Sequence, residues 1–182
     1  MSDRANWWRE GVPDEAVALS HAFEGFRAAP YLCSGGVWTI GYGSTTDASG
    51  RAVTRETPAI TRGLAETMAK RDLQHAARLA MRAFPGGLPA RWGAVMVLMC
   101  NNMGDIRAWG RTLHRMLYDE EFHDAADQLR VYRMAAGRPV LGLRRRRWAE
   151  AAYTRGMSAQ DAVSLAWRIV KTVDDWPALP PG

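Results

Sequence analysis

Six of the chain's 17 glycines fall between Gly25 and Gly50, and they cut that stretch into pieces too short for helix. Glycine costs about 1 kcal/mol in a helix interior, but it supplies the turns that short strands need. Pro30-Tyr31-Leu32 reads as one short strand, Ser34-Gly35-Gly36 as a turn, and Val37 to Tyr42 as a second strand, β-branched and aromatic. Gly41-Tyr42-Gly43 keeps side chains small where the backbone must pass close to something. A further turn over Thr45 to Gly50 and a third strand at Arg51-Ala52-Val53 complete a small hairpin sheet. Helical periodicity fills the flanks, so the predicted fold class is α+β.

Pro13-Asp14-Glu15 opens the first helix with acidic residues where the backbone dipole favours them. Ala16, Leu19, Phe23 and Phe26 recur at helical spacing as one buried stripe. Glu24 falls in the last turn, among carbonyls of the same sign. By itself it reads as a solvated surface residue. After the sheet a long helix spans Thr61 to Phe84, with Leu64, Met68, Leu73, Ala77 and Leu79-Ala80 apolar, and Pro85-Gly86-Gly87 stops it. Pro89 to Met103 reads as a buried core helix capped by Gly104. Trp109 to Leu117, Phe122 to Met134 and Arg144 to Arg155 are further helices. Ser158-Ala159-Gln160-Asp161 resembles a capping box and starts a last helix through Val170, and the tail from Trp176 is irregular. One domain is expected over residues 1–182. It has a sheet lobe at about 14–60, a linking helix at about 61–84, a helical lobe at about 85–156 and an extra helix at about 157–173.

At 182 residues the chain can bury a core without covalent staples. Its two cysteines, Cys33 and Cys100, are no disulfide framework. The net charge is +5, and Lys70 and Lys171 are the only lysines among 24 cations. Such a surface draws polyanions, but no basic region, zinc finger or RNA-binding sheet motif points to nucleic acid. The segment Met1 to Glu10 has no apolar core of a secretory signal. No stretch approaches the roughly 20 apolar residues of a membrane span, so no stable membrane insertion is expected. His21, His75, His114 and His123 are dispersed and predict no metal site. No cofactor motif appears.

The run Glu24-Gly25-Phe26-Arg27-Ala28-Ala29-Pro30-Tyr31-Leu32-Cys33-Ser34-Gly35-Gly36-Val37-Trp38-Thr39-Ile40-Gly41-Tyr42-Gly43 resembles the active-site signature of the phage-type lysozymes, glycoside hydrolase family 24. That signature has a Glu, an Asp nine positions on and a Thr six further. The same offsets here give Glu24, Cys33 and Thr39, with a thiol where a carboxylate is usual. Asn101-Asn102-Met103-Gly104 resembles the family segment that presents an amide to the cleft. Gly142-Leu143-Arg144-Arg145-Arg146-Arg147, followed by Glu150, resembles its Gly-Leu-basic stretch. The resemblance covers roughly residues 14 to 156. It implies a lysozyme-like fold in which a small antiparallel sheet lobe is joined by a long helix to a mostly helical lobe, with the cleft between them.

The implied activity is that of a muramidase, cutting peptidoglycan between N-acetylmuramic acid and N-acetylglucosamine. The implied role is a monomeric phage endolysin. It would be made in the host bacterial cytoplasm and released by a separate holin to act on the wall in the periplasm. Glu24 would be the general acid, and Thr39 would hold a water. Asn102 and Asn101 would bind glycan, since amides both donate and accept, and Trp38 could stack on a sugar. The Arg144 to Arg147 run, Arg144 and Arg145 foremost, would supply a cation near Glu24. Ser44, where the family has His, would make a neutral hydrogen bond to Asp72. Cys33 leaves three readings: a working thiol or thiolate, a redox switch pairing with Cys100, or the mark of a relative that binds glycan without cutting. The last helix could also disturb a membrane through a weakly amphipathic face, although such helices more often dock on their domain.

Overall fold

In a computed structural model, residue 12, residues 14–33 and residues 35–182 are described. The Met1 to Glu10 segment, Pro13 of the first helix start and Ser34 of the predicted turn lie outside them.

Helix α1 runs Asp14–Glu24, and its acidic first turn is retained. Of the predicted stripe, Ala16 and Leu19 are buried, whereas Phe23 is half-buried and Phe26 lies past the end of the helix, against Tyr42. Gly25, at φ +61°, ends the helix and turns the chain into strand β1, Arg27–Leu32. Strand β2, Trp38–Gly41, pairs antiparallel with β1, with Tyr31 opposite Thr39 and Leu32 opposite Trp38. The connecting turn is closed by the Cys33 N–H donating to Val37 O at 3.0 Å and the Gly36 N–H to Cys33 O at 2.9 Å. The predicted third strand is reduced to a single bridge between Thr46 and Ala52. Asp47 explains the loss: its Oδ1 accepts from the backbone N–H groups of Ser49 (2.8 Å) and Arg51 (3.0 Å). A side chain that captures local donors competes with a strand ladder.

Helix α2, Arg62–Ala83, is capped by Thr61, whose hydroxyl accepts from the Leu64 N–H at 3.2 Å. Its 22 residues span about 33 Å, and they carry it from the sheet into the helical core. Near its start it buries Ala65, Met68 and Ala69 against Ile40 of β2 and against Tyr42 and Val53 of the loops that follow it. Further on, Leu73, Ala76, Ala77 and Ala80 join the main core. Gly41 marks the closest approach, because a Cβ there would lie 3.0 Å from Ala65 Cβ.

Helix α3, Ala90–Met103, is buried over every residue from Trp92 to Cys100, as an all-round apolar helix should be. Gly104 caps it at φ +74°. The expected helix over Trp109 to Leu117 is two helices, α4 (Ile106–Trp109) and α5 (Arg111–Tyr118), broken at Gly110. A Cβ at Gly110 would lie 2.7 Å from Ile106 Cγ1, so the chain can turn there only without a side chain. The expected helix over Phe122 to Met134 stops early. Helix α6, Phe122–Gln128, gives way to a 3-10 turn at Leu129–Val131 and a two-residue hairpin. Strands β3, Met134–Ala135, and β4, Arg138–Pro139, form it around Ala136 (φ +49°) and Gly137 (φ +74°). Helix α7, Leu141–Thr154, begins three residues before its predicted start.

Ser158 caps helix α8, Ala159–Ile169, accepting from the Asp161 N–H at 3.1 Å. Its apolar face is docked, with Ala162, Val163, Ala166 and Val170 buried in the main core. That removes the face the membrane-disturbing reading needs. The tail then folds back over α7. Trp148 Nε1–H donates to Pro177 O at 2.9 Å, and Trp176 Nε1–H to Asp127 at 3.0 Å. Among the described residues no helix is long and apolar enough to cross a membrane.

Candidate active site

Glu24 is the last residue of α1, and its side chain is 29 % exposed. Its Oε1 accepts from the Arg146 guanidinium, which reaches across from α7. The same guanidinium donates to Asn102 Oδ1 on the last turn of α3 and lies over the Phe23 ring, 4.7 Å from its centroid. One arginine therefore joins the ends of three helices. The other carboxylate oxygen faces the loop after β2. A Cβ on Gly43 would lie 3.3 Å from Glu24 Oε2, and Gly43 has φ +97°. Both facts call for glycine, because a side chain there is strained and crowds the carboxylate.

Cys33 follows β1, half-buried and unpaired. The backbone N–H of Val37 is the main cause that holds its thiol below the ordinary value, against a weaker opposing push from burial. The Gly35 N–H and the Thr39 hydroxyl add to the lowering. Thr39, on β2, is buried, and its hydroxyl donates to Val37 O at 3.0 Å. A hydroxyl has one proton, so Thr39 can serve either Val37 O or the Cys33 sulfur at a given moment, and the backbone N–H groups are the steadier support for a thiolate. Tyr31, opposite Thr39, has its phenol pushed up by burial and then by the Glu24 charge. It faces the cleft as a neutral hydroxyl.

Glu24, Cys33, Thr39, Asn101 and Asn102 all line one cleft of about 460 Å³, together with Tyr31, Gly43, Thr45 and Arg146. Both asparagines are exposed in it. Tyr132, Met134 and Ala135 line the side formed by the 3-10 turn and the second hairpin.

Other expected site residues sit elsewhere. Trp38 alternates with Thr39 along β2 and packs on the Ile40, Val53 and Met68 cluster behind the sheet, away from the cleft lining. Arg144 donates through Nε to Val173 O (2.6 Å) and through Nη1 to Arg130 O (2.8 Å). Arg145 donates to Val170 O at 3.0 Å. Successive residues on a helix point about 100° apart, so only Arg146 of the run reaches Glu24. Asp72 is bonded to Arg71 at 3.1 Å and not to Ser44, which is buried and exchanges backbone bonds with Ile40. Cys100 is in the core, where burial pushes its thiol up to about 11. Both cysteines are free.

The sequence placed the cation in the Arg144 to Arg147 run but singled out Arg144 and Arg145, whereas Arg146 is the one that meets Glu24. Gly43 carried a signal, the Gly-x-Gly that anticipates a close approach. Nothing in the sequence pattern flagged the β3–β4 hairpin.

A two-lobed α+β domain with an acid, a thiol, a hydroxyl and two amides in one cleft has the layout of a sugar-cleaving enzyme. A sequence model of the phage lysozyme family matches residues 21–150, and the chain belongs to that family. Among curated proteins none matches the chain. Its fold is similar to an endolysin from Escherichia coli O157:H7 phage FAHEc1, at 21 % identity over 80 % of this chain and 93 % of that one, with a TM-score of 0.71. It is also similar to a muramidase domain of SpmX from Asticaccaulis excentricus, at 24 % identity over 79 % of this chain and 96 % of that one, with a TM-score of 0.64. A mutant P22 lysozyme is 26 % identical over 79 % of this chain and 97 % of that one, with a TM-score of 0.62.

Proposed function

We propose that the protein hydrolyses the β-1,4 bond between N-acetylmuramic acid and N-acetylglucosamine in bacterial peptidoglycan, with Glu24 as general acid. The observation that carries this reading is the meeting of Glu24, Cys33 and Thr39 in one cleft with Asn101 and Asn102. Cleavage needs a proton for the leaving oxygen, negative charge beside an oxocarbenium-like centre, and water at the anomeric carbon. Glu24 gives the proton. Arg146 fixes one carboxylate oxygen, which leaves the other to meet the glycosidic oxygen. Cys33, with its thiol lowered by the Val37 N–H, supplies in part the anionic character that a carboxylate would supply in full. Thr39 holds the water through its lone pairs while its proton is engaged by Val37 O. Asn101 and Asn102 receive N-acetyl and hydroxyl groups.

The biological setting we assign is a monomeric phage endolysin. It is made in the host cytoplasm and reaches the wall when a separate holin opens the inner membrane.

Mass spectrometry of fragments released from purified peptidoglycan, with reductant present, tests the reading. Fragments ending in reducing N-acetylmuramic acid are expected. Glu24→Gln should lower their release by about 10²–10⁴-fold, the range general acid catalysis contributes, and should leave wall binding nearly unchanged. No fragments from the folded, reduced protein would sink the reading and leave a glycan-binding protein in its place.

A further inference from the structure

We infer that Trp167, on the C-terminal helix beyond the family's matched span, is a positioning residue for the Glu24–Arg146 pair. The inference rests on the proposed glycosidase reading.

The two halves of the pair come from elements far apart in sequence. Glu24 ends α1, and Arg146 lies in the second turn of α7. Val140, at the N-cap position of α7, has no side chain able to cap it. The start of this helix is instead fixed through its arginines and the C-terminal segment: Arg144 grips Val173 O at 2.6 Å, and Arg145 grips Val170 O at 3.0 Å. Trp167 stands where the two elements converge. Its ring lies 6.4 Å from the Phe23 ring, within the range of favourable aromatic pairs. The Arg145 guanidinium lies 5.7 Å from its centroid. Phe23 precedes Glu24 and carries the Arg146 guanidinium on its face at 4.7 Å. One indole therefore braces the residue before the acid and the residue before its cation. Trp167 is 40 % exposed, so its contribution to the core is partial, while its ring contacts are with Phe23 and Arg145, the residues that precede the two halves of the pair.

Positioning separates from bulk stability in three variants. Trp167→Ala removes the brace, Trp167→Phe restores an aromatic face, and Val163→Ala loosens the same helix at a buried position of the core. Two readouts are taken below the melting transition of all three: the Arg146 Nε–Hε resonance in 15N-labelled protein, and kcat and KM on soluble uncross-linked peptidoglycan strands. Trp167→Ala should shift or broaden the Arg146 resonance and lower kcat about tenfold, since small misplacements of reacting groups cost rate. KM should change less than about twofold, as for an interaction felt mainly in the transition state. Trp167→Phe should recover most of both readouts, and Val163→Ala should lower Tm while leaving both near wild type. An unchanged Arg146 resonance in Trp167→Ala, or an equal loss of kcat in Val163→Ala, overturns the inference. Absence of wild-type turnover would instead sink the glycosidase reading, and the Arg146 resonance would still decide whether Trp167 positions the pair.

Discussion

Cys33 receives its support from the turn that carries it. The Val37 N–H is aimed at the sulfur by the same hairpin turn in which the Cys33 N–H donates to Val37 O. A folded-state thiol pKa held below the ordinary value favours the thiolate in the folded chain. The gain in stability is present above the unfolded-chain pKa, about 8.5, and is lost as pH falls through the lower folded value. Alkylation by iodoacetamide, followed by mass spectrometry across pH, should give Cys33 an apparent pKa below that of the same residue in urea. Cys100, pushed up to about 11 by burial, should react only once the chain unfolds. Equal apparent values for Cys33 in both states would remove the thiolate argument. The meeting of Glu24 and Thr39 in one cleft was legible because both lie within one local helix-to-hairpin segment whose offsets survive folding. Trp38 was misjudged because the motif contains both it and Thr39, and only the alternation of a strand says that neighbours face opposite ways.

Among the elements, α7 concentrates unlike tasks on one run of arginines. Arg144 and Arg145 hold the tail and Arg146 holds Glu24. Arg147 is buried with Glu150 at 2.7 Å, one turn away. Burial pushes the Glu150 carboxyl up, and the Arg147 charge pulls back against it. Breaking such a pair leaves an uncompensated buried charge. Glu150→Gln should therefore cost about 3–5 kcal/mol in urea unfolding, while replacing both partners by apolar residues of similar volume should cost far less. A loss below about 1 kcal/mol for Glu150→Gln would show that the pair is better solvated than its burial implies. The sequence displayed this helix as basic but not which arginine faced where, because four consecutive residues circle the whole axis. It also hid the Met134–Ala135 and Arg138–Pro139 hairpin, since two-residue strands are too short to show a period. The long helices α2 and α3 were readable for the opposite reason: many turns repeat one apolar pattern.

For the whole molecule, 24 cations against 19 acids leave a net charge of +5 that no single contact explains. A long-range field of that sign should bring the protein to an anionic wall faster at low salt. Turnover of intact sacculi should fall as ionic strength rises from about 0.01 M to 1 M, over which the screening length shrinks from about 30 Å to 3 Å. Turnover of short soluble peptidoglycan oligosaccharides, which carry few charges, should vary far less. Parallel salt dependence on both substrates would place the effect in the cleft and not in the field. The α+β order of the molecule was plain from its glycine-rich interval, but the way its tail closes over α7 was not, because carbonyl acceptors leave no trace in side-chain pattern. That closure carries a consequence for the order in which the molecule is made. The Trp148 indole, at the heart of the helical core, finds its acceptor only when Pro177 exists, and Arg144 and Arg145 wait for Val173 and Val170. A nascent chain stalled after α7 holds the whole cleft sequence but lacks the carbonyls that anchor one wall of it, so the segment that follows α7 out of the ribosome decides when the helical lobe is finished.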